Sequence, residues 1–418
     1  MQDTDRRVLI VVENLPVPLD RRVWLEATSM TATGYHVSVI CPMGRGWDKE
    51  YEVIDGVHIY RHPELPEAHS GARAYALEYW TAIKAWFRLA KKVRAEQGFD
   101  IIHACNPPDL IFLLAWRYRL AGVRFLFDHH DVCPELFKAK FGRKGLFHRA
   151  LLLCERLTFA TATVSMATNE SFRKIAINRG RMKPDDVFVV RSAPRIEKFL
   201  PGAGNADYRK GAQTVLGYVG VIGQQEGMDL LIAALDHLVN TIKRDSIHLV
   251  IVGFGPHVDV VKKDVEDRNL SSFVTFTGAL YDDELLAALN VIDIGVAPDP
   301  WNEMNDISTM NKVMEYMCLG KPVVQFDLTE GRASAGDASL YAKNNDPAEF
   351  AACITTLMDD PALGRKLGEI GRARVLDTLS WEHSVPHLLN AVDRAFEKSG
   401  HKRTQPKTAS DAPASASR

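Results

Sequence analysis

Apolar runs rich in Val and Ile alternate along this chain with longer segments whose apolar positions recur every three or four residues. The runs VLIVV at 8–12, HVSVI at 36–40, DIIHA at 100–104, VRFLF at 123–127, TATVS at 161–165 and VFVV at 187–190 predict strands. The spacing between them predicts helices over 20–33, near 75–96, over 109–121, around 146–160 and over 168–180. Short apolar strands separated by amphipathic helices imply right-handed crossovers and a parallel sheet covered on both faces.

After Val190 the stretch RSAPRIEKFLPGAGNADYRKGAQ carries Pro, Gly and charge without a sustained period, which marks a linker. A second α/β series follows, with TVLGYVG, IHLVIVG, FVTFTG, VIDIGVAP, KPVVQF and SLYA as strands and three helices after Pro347. The chain is therefore expected to form two doubly wound domains, 1–195 and 196–398. The tail, 399–418, is rich in Lys, Ser, Ala and Pro and is expected to be disordered. Open α/β sheets bind ligands at the carboxyl ends of their strands, so the active site is expected in the cleft where the two domains face each other.

The 418 residues suffice for two cores, since single cores seldom grow past roughly 250–300 residues. Six cysteines stand singly, without the close pairs of a zinc knuckle or redox dithiol, and read as reduced cytosolic thiols. The N-terminal apolar run is far shorter than the roughly 20 residues a membrane span requires, so no signal peptide or spanning helix is expected. The net charge of −2 hides an asymmetry: residues 1–200 hold 30 Lys and Arg against 23 Asp and Glu, the remainder 21 against 30. The basic half is expected to meet something anionic.

The segment DPWNEMNDISTMNKVMEYMCLGKPVV, 299–324, is the richest in chemistry. Ser308 or Asp306 can cap a helix whose free N–H groups, with Thr309 and Asn311 nearby, bind phosphate. Lys312 adds a positive charge one turn in, and Glu315 can accept two hydrogen bonds from a ribose diol. The same spacing fits a capped helix with an exposed Lys–Glu pair. Gly253 and Gly255 in GFGP follow a strand as nucleotide-binding turns do, but Val258 replaces the third glycine of a dinucleotide fingerprint, so a plain strand-to-helix turn fits as well. Glu330 and Arg332 fall in a loop after the Pro322 strand.

This segment resembles the donor-binding helix of glycosyltransferase family 4, with Glu315, Tyr316, Met317, Gly320, Lys321, Pro322 and Val323 in the matching places. LGYVGVIGQQEGMDLLIAAL, HLVIVGFGP, VTFTGALYDDELLAAL, DIGVAPDP and SWEHSVPHLLNAVDRAFE recur in the family's order, and Arg7 to Lys398 fits throughout. Two departures stand out. Ile307 takes the place of a second glutamate eight residues before Glu315, so a sugar-hydroxyl contact is either missing or supplied by Asp306 or Glu303. Val221 and Glu226 align with a common arginine and lysine, so Lys312, backbone N–H groups and a close approach by Gly223 and Gln224 must serve the diphosphate.

In the first domain, ENLPVPLDRRVWLEA follows the opening strand with Asp20, Arg21 and Arg22, arginines that either bind an acceptor phosphate or lie on a helix surface. In FDHHDVCPELF, His130, Asp131, Pro134 and Glu135 match the family's His-Asp and Pro-Glu pattern, in which the histidine sits near the sugar and can bond a hydroxyl or relay a proton. His103 and Asn106 are expected on the same wall. The basic and aromatic segments 75–94 and 137–149 either dock on an anionic membrane or place aromatics in the core beneath a solvated cationic rim.

The resemblance implies a GT-B fold of two facing Rossmann-like domains, with the acceptor on the first and the donor on the second. It implies a retaining hexosyltransferase without metal or cofactor, the donor being a UDP- or GDP-sugar. The expected acceptor is a polyprenyl-diphosphate-linked saccharide of bacterial surface-polysaccharide assembly. The expected location is cytoplasmic, peripheral on the inner face of the plasma membrane, with no nucleic-acid partner. The rivals are a nucleotide-sugar epimerase on the same fold and a catalytically silent scaffold subunit.

Overall fold

The computed structural model describes residues 6–64, 72–107, 109–142 and 145–398, with the side chains of all but 72–79 and 140–141. The expected disorder of 399–418 lies outside the described residues. The first sheet contains β1 (Arg7–Val11), β2 (His36–Pro42), β3 (Tyr51–Ile54), β4 (Val57–His62), β5 (Ile101–Cys105), β6 (Arg124–His129), β7 (Val164–Ala167) and β8 (Val187–Val189). Their order is β3-β4-β2-β1-β5-β6-β7-β8, parallel except for the β3–β4 hairpin. The helices of this half are α1 (Arg21–Ala32), α2 (Ala72–Glu96), α3 (Phe112–Arg119), α4 (Cys133–Phe141), α5 (Leu146–Thr161) and α6 (Glu170–Asn178).

The hairpin has no counterpart in the expected strands, although its turn was readable. Asp55 and Gly56 both take positive φ, 48° and 79°, as a two-residue turn between right-twisted strands requires. Its edge strand alternates exposed and half-buried residues rather than forming an apolar run, so it carries no buried-strand signature.

The second sheet, all parallel, runs β11-β10-β9-β12-β13-β14. Its strands are β9 (Thr214–Val219), β10 (Ile247–Val252), β11 (Val274–Gly278), β12 (Ile294–Ala297), β13 (Val323–Phe326) and β14 (Ser339–Ala342). Its helices are α7 (Met228–Asp236), α8 (Val258–Asp267), α9 (Asp282–Val291), α10 (Asn311–Cys318), α11 (Thr329–Ala335), α12 (Pro347–Asp359) and α13 (Pro361–Arg374). The final helix, α14 (Trp381–Glu397), returns to the first sheet, burying Trp381, Leu388, Val392 and Phe396 in the same core as Val8, Val37 and Val164. Two crossings of the chain thus tie the halves together. Strand order reverses beside β1 in one sheet and beside β9 in the other, which opens a crevice at the carboxyl ends of both.

Candidate functional site

Carboxyl ends of β1, β5, β6 and β7 face those of β9, β10 and β12, and side chains bridge the gap. The Asn169 amide, after β7, donates to Ile307 O and Thr309 Oγ1, both at 2.9 Å. Ser171 Oγ donates to Glu330 at 2.7 Å. Lys138 of α4 pairs with Glu303, and Arg45 lies over the Phe254 ring at 4.8 Å. Between these contacts a cavity of about 350 Å³ is lined by Gly220, Val221, Gly253, Phe254, Thr309 and the start of α10. It adjoins a second of about 380 Å³ walled by Trp24, Trp47 and Trp381, and both are lined by Arg21, Asn311 and Glu315.

On α10 the two charged residues take different partners. Lys312 Nζ lies 2.9 Å from both oxygens of Asp299 and 3.8 Å from Glu226, above the face of Tyr218. Burial disfavours its charge, but Asp299 and Glu226 prevail and raise its pKa. Burial and the neighbouring Asp299 push Glu226 up to about 7. Glu315 meets Arg21 Nη1 of the opposite domain at 3.0 Å; burial raises its pKa, and Arg21 opposes that. Arg21 keeps most of its guanidinium exposed, with 60% of the side chain open to solvent.

Capping does not follow the sequence expectation. The helix begins at Asn311 with Met310 as cap residue; Ser308 Oγ donates to Met304 O, and Asp306 accepts from Thr329. Val313 N donates to Met310 O at 3.1 Å, which leaves the N–H groups of Asn311 and Lys312, two residues lining the cavity, outside the ladder of α10. Of the two carboxylates nearest Ile307 in sequence, Asp306 accepts from Thr329 of α11 and Glu303 pairs with Lys138. Glu330 and Arg332 lie on α11, not in a loop.

Gly223 and Gln224 line a separate depression with His257 and Asp264, away from this cavity. Gly253 lines the cavity, but a Cβ there would stand 1.9 Å from Gly220 O, so close strand-end packing requires the glycine. A Cβ on Gly255 would meet Ile222 O at 2.4 Å, and Gly255 does not line the cavity.

In the first domain Asp20 caps α1, accepting from Val23 N at 3.0 Å. One residue turns a helix by about 100°, so Arg21 and Arg22 part company. Arg22 points inward and forms two bonds to Asp128, 2.7 Å and 2.6 Å, and another to Val190 O. Its charge is engaged by Asp128 and Glu26, and it borders the second cavity. His103 is fully buried: the β5 pleat turns it toward α1, where Nε2 lies 3.4 Å from Glu26 Oε2, and burial drops its pKa to about 4. It does not line the cleft.

His130 sits at the end of β6, with Nδ1 3.3 Å from Asp128 Oδ2. Burial disfavours its charged form, but Asp128 outweighs that and raises the ring to about 9. Asn106 shapes the loop: its Oδ1 accepts from His130 N and Asp131 N, at 3.0 Å and 3.1 Å, and its amide donates to Asp131 O. Sequence reading missed Asp128, Asp299 and Asn169, each at or just beyond a strand's carboxyl end, where position alone could have singled them out.

Ligand atoms of Glu26, His103, Cys105 and Asp128 lie within 4.8 Å of one another, a donor set a metal ion could use. The Arg22 guanidinium already supplies positive charge there, on Asp128 and 3.1 Å from Glu26.

Two facing Rossmann-like sheets with an elongated cavity between them are the architecture of a GT-B glycosyltransferase. Residues 19–193 match the family model of the glycosyl transferase 4-like domain, and 213–360 that of glycosyl transferases group 1. The chain is a glycosyltransferase of the family 4 type. The 2-deoxystreptamine glucosyltransferase of Streptomyces kanamyceticus is 28% identical over 189 residues, 44% of this chain and 46% of that protein, so the match spans less than half of that relative. Glycogen synthase of Mycobacterium tuberculosis is 25% identical over 414 residues, 93% of each chain. Sucrose-phosphate synthase from Thermosynechococcus elongatus shares the fold with TM-score 0.73 at 17% identity, covering 94% of this chain and 100% of that one. So does an Anabaena protein crystallised with UDP and glucose, TM-score 0.68 at 14% identity, covering 94% and 99%. These relatives lend no support to the epimerase alternative.

Proposed function

We propose that this glycosyltransferase moves a hexose from a UDP- or GDP-sugar to a lipid-linked saccharide, with retention of configuration and without a metal. The observation that carries the donor reading is the start of α10, where Asn311, Lys312 and Glu315 border a cavity shared with Arg21. Unpartnered N–H groups at a helix start favour phosphate, and Glu315 offers a carboxylate to a ribose diol. The nucleotide site would be common to the Anabaena structure that holds UDP and glucose.

Positive charge facing the leaving diphosphate is the main electrostatic task in such a transfer. Lys312 is spoken for by Asp299, so its contribution is shared with that carboxylate. His130, held as a cation by Asp128, suits the role of hydrogen-bond donor to a sugar hydroxyl or phosphate oxygen better than that of a base. The lipid-linked acceptor is supported by the basic balance of the first half, which also supports a peripheral position on the inner membrane face, as in surface-polysaccharide assembly. Among the described residues, no helix is long and apolar enough to cross a membrane.

Incubating the protein with a panel of nucleotide sugars and a short-chain polyprenyl-diphosphate saccharide, with and without chelator, tests this reading. Transfer that survives EDTA and yields a product with the donor's anomeric configuration is expected. Inversion, or activity lost with chelator and restored by magnesium or manganese, would overturn the corresponding part.

A further inference from the structure

Among the described residues, 17 large apolar side chains are exposed, and six of them fall on two neighbouring helices of the first domain and their ends: Trp116, Leu120, Leu146, Phe147, Leu153 and Leu157. Leu120 is 99% exposed, Leu146 84% and Trp116 63%. Trp116 and Leu120 stand four apart on and just past α3, as do Leu153 and Leu157 on α5, so each pair presents one face. The helices pack on each other, which joins the pairs into one surface. A solvated surface does not gather apolar side chains in this way without a partner.

Charge on the same surface has one sign. Arg117, Arg119, Arg149 and Arg156 are exposed and have no carboxylate partner among the described residues, and the single acid of the two helices, Glu155, is fully buried. At the carboxyl ends of both helices the surface dips into a depression of about 630 Å³ lined by Arg119, Arg124, Arg156, Arg181, Lys183 and Lys398. The acid that lines it, Asp186, is neutralised by Lys398 and Arg394.

Resting on the reading that the acceptor is lipid-linked, we propose that the α3–α5 face is the surface by which this enzyme docks on an anionic phospholipid bilayer, the apolar ridge entering the headgroup layer and the depression receiving phosphate headgroups. Apolar side chains flanked by cations are the combination that binds such an interface. The ridge also begins where it is useful. Phe147 at the start of α5 packs its ring 5.1 Å from Phe137 of α4, and α4 follows His130 at the cleft rim. From Leu146 to Leu157 the ridge runs about 17 Å along α5, so a protein lying on this face keeps its cleft beside the lipid.

Of the segments singled out in the sequence, 137–149 contributes Leu146, Phe147 and Arg149 to this surface, and 75–94 contributes none of the residues named above. Trp86 is buried and Phe87 partly so in the first-domain core, and Lys138 is engaged with Glu303. Arg143 and Lys144 lie outside the described residues.

Co-sedimentation with vesicles, without donor or acceptor, tests the proposal independently of the reaction. Wild type should pellet with vesicles of equal phosphatidylglycerol and phosphatidylcholine and stay in solution with phosphatidylcholine alone. Loss of two cations in Arg119→Ser/Arg156→Ser should weaken that partitioning roughly thirtyfold. Leu153→Ser/Leu157→Ser should remove the part that survives high salt. Arg365→Ser/Lys366→Ser, on the second domain, should bind as wild type. Trp116 gives a second readout: vesicles should blue-shift wild-type fluorescence, and Trp116→Phe should abolish the shift. Equal binding to both vesicle types, wild-type partitioning by the α3–α5 variants, or no change at Trp116 would overturn the proposal, whatever the fate of donor turnover.

Discussion

Glu315 and Lys312 lie three residues apart on one short helix yet carry different loads. Glu315 borders the cavity and meets an exposed arginine, so Glu315→Ala should cost donor binding about 1.5–3 kcal/mol, a charge-assisted hydrogen bond, while the melting temperature barely moves. Lys312 is buried against Asp299 and Glu226, so Lys312→Ala leaves carboxylates without their cation and should destabilise the fold by about 3–5 kcal/mol as well. Thermal denaturation of the two variants side by side checks the contrast; equal melting temperatures would contradict it. His130 has a pH signature. Its pKa is raised above the ordinary 6.5 to about 9, so the stability it gains from Asp128 is complete below pH 6.5 and fades as pH passes 9. Its ring, assigned in NMR spectra by its loss in His130→Gln, should remain mostly protonated at pH 8. A midpoint at or below 6.5 would show that Asp128 does not hold the proton there.

At the scale of elements, α14 belongs in sequence to the second half and in space to the first core. Leu388→Ala should therefore cost about 2–5 kcal/mol, registered as earlier unfolding of the first sheet in hydrogen exchange. Protection loss confined to the second sheet would contradict that packing. The parallel strands were legible because their apolar runs are continuous and bounded by polar turns. The β3–β4 hairpin was not: half of β3 faces water, and β4, though parallel to β2 and buried, breaks its apolar run with His58, Arg61 and His62. Of the site, α10 and its charges were legible from motif and spacing. Their pairing was not: Arg21 reaches Glu315 from the opposite domain, and Asp299 reaches Lys312 from the loop after β12, 13 residues earlier, with no helical spacing to announce it. His103 was placed on the cleft by proximity in sequence, whereas the β5 pleat directs it into the interior; Arg22 does border the second cavity, but its guanidinium is turned onto Asp128.

Across the whole molecule, the two halves meet through side chains that include Arg21 to Glu315, Asn169 to Thr309, Ser171 to Glu330 and Lys138 to Glu303, and the cavity at the start of α10 lies among them. A ligand seated there contacts both halves and should stabilise the folded molecule, as any ligand of the native state does. This cleft is expected to bind a nucleoside diphosphate through α10 and the arginine opposite. Isothermal titration of wild type and Glu315→Ala with UDP, GDP and their sugar conjugates tests it most directly. One nucleotide should bind wild type and lose roughly tenfold to a hundredfold in affinity in the variant. Equal affinity in both proteins, or binding by none of the nucleotides, would contradict the claim.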